Sequence, residues 1–140
     1  MSQSRNLEFD LARVLLVDDD PTSRLTLKTV LEAGGYNVDS AASAAEAVGK
    51  LDAGEYELVL TDLNMESPDA GRKVIAHARI KDYKPATALI TTYQNAKPVA
   101  SRGSVLIKPE DVPGLLSKVA DMISQRATRR LERELRLAGV

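Results

Sequence analysis

Residue types suited to phosphate and metal chemistry fall at the ends of four short apolar runs. Asp18, Asp19 and Asp20 follow Val14–Val17; Asp62 and Asn64 follow Leu58–Thr61; Thr91 and Thr92 close Thr87–Thr91; Lys108-Pro109 follows Ser104–Ile107. If these runs are neighbouring strands, three carboxylates, a hydroxyl and an ammonium converge on one edge. Clustered carboxylates repel and resist partial burial, and the usual remedy is a cation. Oxygen ligands without His or Cys point to Mg²⁺ or another hard divalent ion. Lys108 and a threonine hydroxyl then suit a tetrahedral anion, as a positive point charge beside a hydrogen-bond donor. A carboxylate between metal and lysine is a nucleophile toward phosphorus, giving an aspartyl phosphate. The expectation is therefore a site where one of these carboxylates takes a phosphoryl group. A lone acid at a strand end is more often a helix cap or solvated, and Asp20, directly before Pro21-Thr22, fits a cap. Four strand ends bearing complementary groups in order set the other residues apart.

The elements that must carry these residues alternate. Apolar, β-branched runs occur at Val14–Val17, Tyr36–Ala41, Leu58–Thr61, Thr87–Thr91 and Ser104–Ile107. Between them lie stretches with helical spacing. The first starts at Pro21-Thr22, with Leu27, Val30 and Leu31 three and four apart, and stops at Gly34-Gly35. The second runs from about Ser43 to Ala53; Ser43 and Glu46 have capping-box spacing. The third runs from about Ala70 to Asp82, and the last from about Asp111 to Leu137. Strands apolar throughout and separated by helices predict a parallel sheet covered on both faces, a doubly wound five-stranded α/β domain. In such sheets ligands bind outside the carboxyl ends of the strands, where the reactive residues fall.

Composition agrees. The chain has 140 residues, the size of one domain, with 44% apolar and 28% charged residues. A net charge of −1 gives no general attraction to nucleic acid or membrane, and the absence of Cys excludes disulfides and thiolate metal sites. The apolar runs are too short to span a bilayer. Met1 to Ala12 carries Glu8 and Asp10 and no apolar signal core, so a cytoplasmic location is the default expectation.

The runs Val14-Leu15-Leu16-Val17-Asp18-Asp19-Asp20-Pro21-Thr22-Ser23-Arg24, Leu58-Val59-Leu60-Thr61-Asp62-Leu63-Asn64-Met65, Ala88-Leu89-Ile90-Thr91-Thr92 and Leu106-Ile107-Lys108-Pro109 resemble the motifs of CheY-like response-regulator receiver domains of two-component signalling. The resemblance covers roughly Arg13 to Ser124. It implies a flavodoxin-like sheet of strand order 2-1-3-4-5, with Asp62 as phosphoacceptor. It further implies that Asp18, Asp19 and Asp62, with the backbone carbonyl of Asn64, hold Mg²⁺. By the same resemblance Thr91 and Lys108 contact phosphoryl oxygens, and the Lys108-Pro109 bond is cis. The implied partner is a histidine kinase or phosphotransfer protein, and the domain is a regulatory phosphoacceptor rather than an enzyme with an outside substrate.

Three places depart from the family pattern. The loop Met65-Glu66-Ser67-Pro68-Asp69-Ala70-Gly71 is about one residue longer than usual. Thr91 and Lys108 are only 17 positions apart, and Pro98 sits mid-segment, so the helix expected between the fourth and fifth strands is short, irregular or absent. Val105 stands where the family carries its switch aromatic, and Thr92 stands where a small residue is usual. These departures support an alternative reading: a receiver-like interaction module whose output does not depend on phosphorylation. A Mg²⁺-dependent phosphohydrolase would place an acid two residues after the nucleophile, where this chain has Asn64.

The expected division is an extension over 1–12, a receiver over 13–124 and a helical extension over 125–140. Val112, Leu116, Val119, Ile123, Ala127, Leu131, Leu135 and Ala138 form one helical stripe, joined beyond Gln125 by Arg126, Arg129, Arg130, Arg133 and Arg136. That half is a solvated helix, a face for a homodimer or a protein partner, or a nucleic-acid contact; no base-reading motif accompanies the arginines. His77 falls in the third helix, away from the strand ends, and is expected to be a partly packed surface residue rather than a phosphorelay histidine.

Overall fold

The computed structural model describes residues 11–62, 65–67, 69–90, 106–107 and 111–139. In chain order the elements are β1 Arg13–Val17, α1 Pro21–Ala33, β2 Asn37–Ala41, α2 Ala44–Ala53, β3 Leu58–Asp62, α3 Ala70–Arg79, β4 Ala86–Ile90, β5 Leu106–Ile107 and α4 Val112–Leu137. All five strands are parallel, in the order β2-β1-β3-β4-β5. This is the doubly wound sheet expected from the sequence.

Period-two alternation splits the core across the sheet. Val14, Leu16, Leu58 and Leu60 face one way, against Leu27 and Leu31 of α1 and Leu115, Val119 and Met122 of α4. Leu15, Val17 and Val59 face the other, against Ala47 and Leu51 of α2 and Val74 and Ala78 of α3. β3 and β4 are buried along their whole length. That burial holds the end of β3 in a fixed place.

The caps read from sequence are present. Asp20 accepts the Ser23 N–H at 2.8 Å. Ser43 accepts the Glu46 N–H at 3.1 Å, while Glu46 reaches one residue further back than a standard box, to the Ala42 N–H at 2.9 Å. α1 ends at Gly34, and Gly35 takes φ +100°, a conformation that favours glycine.

Two expectations shift. α3 stops at Arg79 rather than at Asp82, because residues 80–84 are turned away from the helix axis by tertiary bonds: Tyr83 donates its hydroxyl to Leu51 O at 2.9 Å, and Arg126 takes the carbonyls of Tyr83 and Lys84. The buried face of α4 is Leu115, Val119, Met122 and Arg126, with Leu116 and Ile123 beside it, so its centre is rotated about one residue from the stripe read in the sequence. From Ala127 to Gly139 every residue is exposed. The segment 91–105, where the irregular helix and Val105 were expected, lies outside the described residues, as does the Lys108-Pro109 bond.

Candidate functional site

β1 and β3 pair with Val17 opposite Thr61, so the residues that follow, Asp18 and Asp62, emerge side by side at the carboxyl edge. Both are buried, at 1% and 5% exposure, although each is a carboxylate. Asp19, beside them, is the most exposed of the three. One carboxylate oxygen from each of Asp18, Asp19 and Asp62 lies within 4.8 Å of the others. At that spacing and an effective dielectric of about 20, each pair of charges repels by about 3 kcal/mol.

Asp18 is held by three hydrogen bonds. Its N–H donates to Ala41 O at 3.0 Å, carrying the β1–β2 ladder one residue past the strand. Its Oδ1 accepts the Asp20 N–H at 2.9 Å, and its carbonyl accepts Arg24 Nη1 at 2.8 Å. Its Oδ2 is buried and has no hydrogen-bond partner among the described residues. An orphaned charged oxygen is costly in a folded protein. Here it belongs to a group of three carboxylates, and the donor set is all oxygen. Those features fit a hard divalent cation.

Asp62 ends β3, with Ile90 of β4 as its register partner. The start of α3 is pressed against it: a Cβ on Gly71 would lie 2.7 Å from the Asp62 carbonyl oxygen, so only glycine allows this approach. The loop between them is anchored too. Met65 packs on the α2–α3 face of the core, and Glu66 accepts the Ala44 N–H at 3.3 Å, at the first turn of α2.

Of the residues singled out in the sequence, the structure brings Asp18, Asp19 and Asp62 together and assigns Asp20 to capping. Asn64, Thr91, Thr92 and Lys108 lie outside the described residues. Sequence reasoning gave no positional role to Arg24 or Gly71. Arg24 sits one turn after Asp20, and side chains in a first helical turn point back toward the preceding strand end, which was an available signal. Gly71 gave none, since its need arises from contact with another element.

His77 lies elsewhere, half-buried, with Nε2 at 2.8 Å from Asp52 Oδ1; Lys81 Nζ reaches the same oxygen at 2.7 Å. Hydrogen bonds from Lys81 and then His77 hold the Asp52 carboxyl below its ordinary range. A depression of about 340 Å³, lined by Leu51, Glu55, Ile80 and Tyr83 among others, lies at the amino edge and has no part in the acidic cluster.

Comparison with known proteins identifies the family of the chain. The family model described as the response regulator receiver domain matches residues 14–120. The transcriptional regulatory protein GlrR of Escherichia coli is 31% identical over 126 residues, covering 87% of this chain and 28% of that protein. The sensor protein EvgS of Escherichia coli is 43% identical over 56 residues, 40% of this chain and 5% of that protein. The chain thus spans under a third of the length of these relatives. The response regulator TrrA of Thermotoga maritima, solved in complex with Mg²⁺-BeF, superposes with a TM-score of 0.68 at 29% identity, covering 80% of this chain and 99% of that one. A second structure holds TrrA in complex with the histidine kinase ThkA.

Proposed function

The chain belongs to the response regulator receiver domain family, and from that premise we propose that Asp62 is its phosphoacceptor, that Asp18, Asp19, Asp62 and the Asn64 backbone carbonyl hold Mg²⁺, and that a histidine kinase or phosphotransfer protein is the donor. The observation that carries this reading is the buried carboxylate group with the orphaned Asp18 Oδ2. The TrrA complexes, one with Mg²⁺-BeF and one with a histidine kinase, support the ion and the partner by family analogy.

In the transfer, a carboxylate oxygen of Asp62 forms the bond to phosphorus while the P–N bond of the donor's phosphohistidine breaks and its electron pair stays on the imidazole nitrogen. The bound cation supplies charge neutralisation for the carboxylates and the phosphoryl oxygens. Arg24 and the Asp20 N–H fix Asp18 before any ligand arrives. Burial of β3 and the close approach at Gly71 fix Asp62. Thr91 and Lys108 are assigned to the phosphoryl oxygens. Positioning and charge compensation are the main contributions of such a site. The division into 1–12, 13–124 and 125–140 stands with this proposal, Arg126 anchoring the start of the last segment.

Incubation with Mg²⁺ and acetyl phosphate adds the mass of one phosphoryl group, and Asp62→Asn abolishes the addition. No labelling from acetyl phosphate or from a phosphorylated histidine kinase overturns the assignment. The departure at Val105 favours a second reading, a module whose output ignores phosphorylation. In that case Mg²⁺ with beryllofluoride shifts amide resonances at the acidic edge alone.

A further inference from the structure

Arg126 is 6% exposed, in a helix whose following residues are all exposed. Arginine is almost never this buried unless paired. Among the described residues it makes no ion pair. Instead its guanidinium spans two backbone carbonyls, Nε donating to Lys84 O at 2.9 Å and Nη2 to Tyr83 O at 2.6 Å. Their planar fork arrangement is one a lysine ammonium does not reproduce.

The turn it grips is unusual. Lys84 has φ +46°, the left-handed region, and directly precedes Pro85, a position that favours extended backbone. Such a conformation persists where its surroundings enforce it. Three contacts besides Arg126 do so: the Lys84 N–H donates to Lys81 O at 3.1 Å, Lys84 Nζ reaches Arg79 O at 3.3 Å, and Tyr83 is tied to α2 through Leu51 O. Immediately after the turn, the Ala86 N–H donates to Glu57 O at 2.9 Å and β4 begins.

β4 is five residues long and buried throughout. Its far end, Ile90, is the register partner of Asp62. β4 therefore has Asp62 of β3 beside its carboxyl end and the turn held by Arg126 before its amino end. Beyond Arg126 the same helix continues for three exposed turns, with Leu131 at 57%, Leu135 at 43% and Leu137 at 82% exposure. The family resemblance implies a switch aromatic at the position where this chain has Val105. The strand–turn–arginine path does not use that position.

We propose that Arg126 is a positioning residue that couples β4, and through it the acceptor edge, to the exposed half of the C-terminal helix, so that this half reports the state of Asp62. The proposal rests on the reading of Asp62 as acceptor. Its test follows backbone amide resonances of the full chain during titration with Mg²⁺ and beryllofluoride. In the wild type, resonances at Asp18–Asp20 and Thr61–Asp62 shift, and those of Ala86–Ile90 and Arg126–Leu137 shift with them. In Arg126→Met, which keeps the buried stem and removes both donors, the acidic edge still shifts while the response of Ala127–Leu137 falls by about fivefold or more. Arg126→Lys, with charge but no fork, gives an intermediate response. A far-UV circular dichroism melt checks that each variant is folded; if Arg126→Met is not, Arg126→Lys alone decides, and a full wild-type response from it overturns the proposal. A wild-type titration that moves the acidic edge but not the helix overturns the coupling and leaves the acceptor assignment standing. A titration that moves neither overturns the acceptor reading first, and the coupling with it.

Discussion

Toward the amino edge of the sheet, Asp39 receives a 2.8 Å ion pair from Arg13 and a 2.7 Å hydrogen bond from the Tyr56 hydroxyl, and Arg13 in turn lies 4.7 Å from the Tyr56 ring centroid. At the carboxyl edge, Asp18 is more deeply buried than Asp39, yet one of its oxygens has no partner among the described residues and its nearest acidic neighbours are two more carboxylates. The same residue type is satisfied by the chain in one place and, in the proposed reading, left for a cation in the other. Folding strongly favours the first arrangement. The second persists where a bound cation and phosphoryl group repay it, a common trade between stability and function. Aspartate identity alone does not separate the two cases; cation supply does.

The largest effect that sharpens this contrast is at Asp18. In Asp18→Asn, an amide N–H₂ replaces the orphaned oxygen and faces the carboxylates of Asp19 and Asp62. In EDTA the variant is about 1–2 kcal/mol more stable than the wild type, because two of the three mutual repulsions are gone, each reduced by solvent screening at the exposed Asp19. It binds Mg²⁺ about tenfold or more weakly, equivalent to about 1.4 kcal/mol. Urea denaturation and a Mg²⁺ titration of the amide spectrum check the two halves. A loss of metal-free stability would break the comparison.

A smaller effect of opposite sign is expected at Asp39. Its side chain is 37% exposed, so solvent screening limits its pair to about 1 kcal/mol or less, and Asp39→Asn destabilises by that order. Burial pushes the Asp39 carboxyl upward, but the Tyr56 hydroxyl and the Arg13 charge outweigh it and hold it below the ordinary value. A carboxyl with a depressed folded pKa gives stability that is present above the unfolded value of about 3.9 and is lost as pH falls through the folded value. Denaturation between about pH 5 and pH 2 therefore shows a shallower acid loss in Asp39→Asn than in the wild type.

The smallest effect is spectroscopic. Burial first, then the Asp39 hydrogen bond, pushes the Tyr56 phenol up to about 12. Its folded pKa exceeds the unfolded value of about 10, so its contribution is complete below pH 10 and declines as pH rises toward 12. Phenolate absorbance during alkaline titration shows a step near 12 that Tyr56→Phe removes.

Much of the carboxyl edge was legible because it is written locally. Asp18, Asp19 and Asp62 each follow an apolar run that is itself a strand, and parallel topology sends all such ends to one edge. The Asp20 cap and the Ser43–Glu46 pair are likewise short-range signals. What escaped the sequence is what depends on distant partners. Arg126 stands among arginines that face water, and only its contact with carbonyls 42 and 43 residues away sets it apart. The early end of α3 at Arg79 follows from the same contact. Asp39, Arg13 and Tyr56 are drawn from three separate segments of the chain, and no spacing rule links them.

The C-terminal helix is one unbroken rod of 26 residues, about 39 Å long. Its first half is clamped in the core, and its last support is Arg126. From there to Leu137 the free arm is about 16 Å. The inner part, from Val112 to Arg126, is about 21 Å, and the free arm pivots where that packing ends. A tilt of about 5° at that pivot, well within the scatter of helix packing angles, moves the tip by about 1.5 Å. Under the proposed coupling, a small rotation where Arg126 meets the turn before β4 becomes a translation of exposed helix that stands clear of the core.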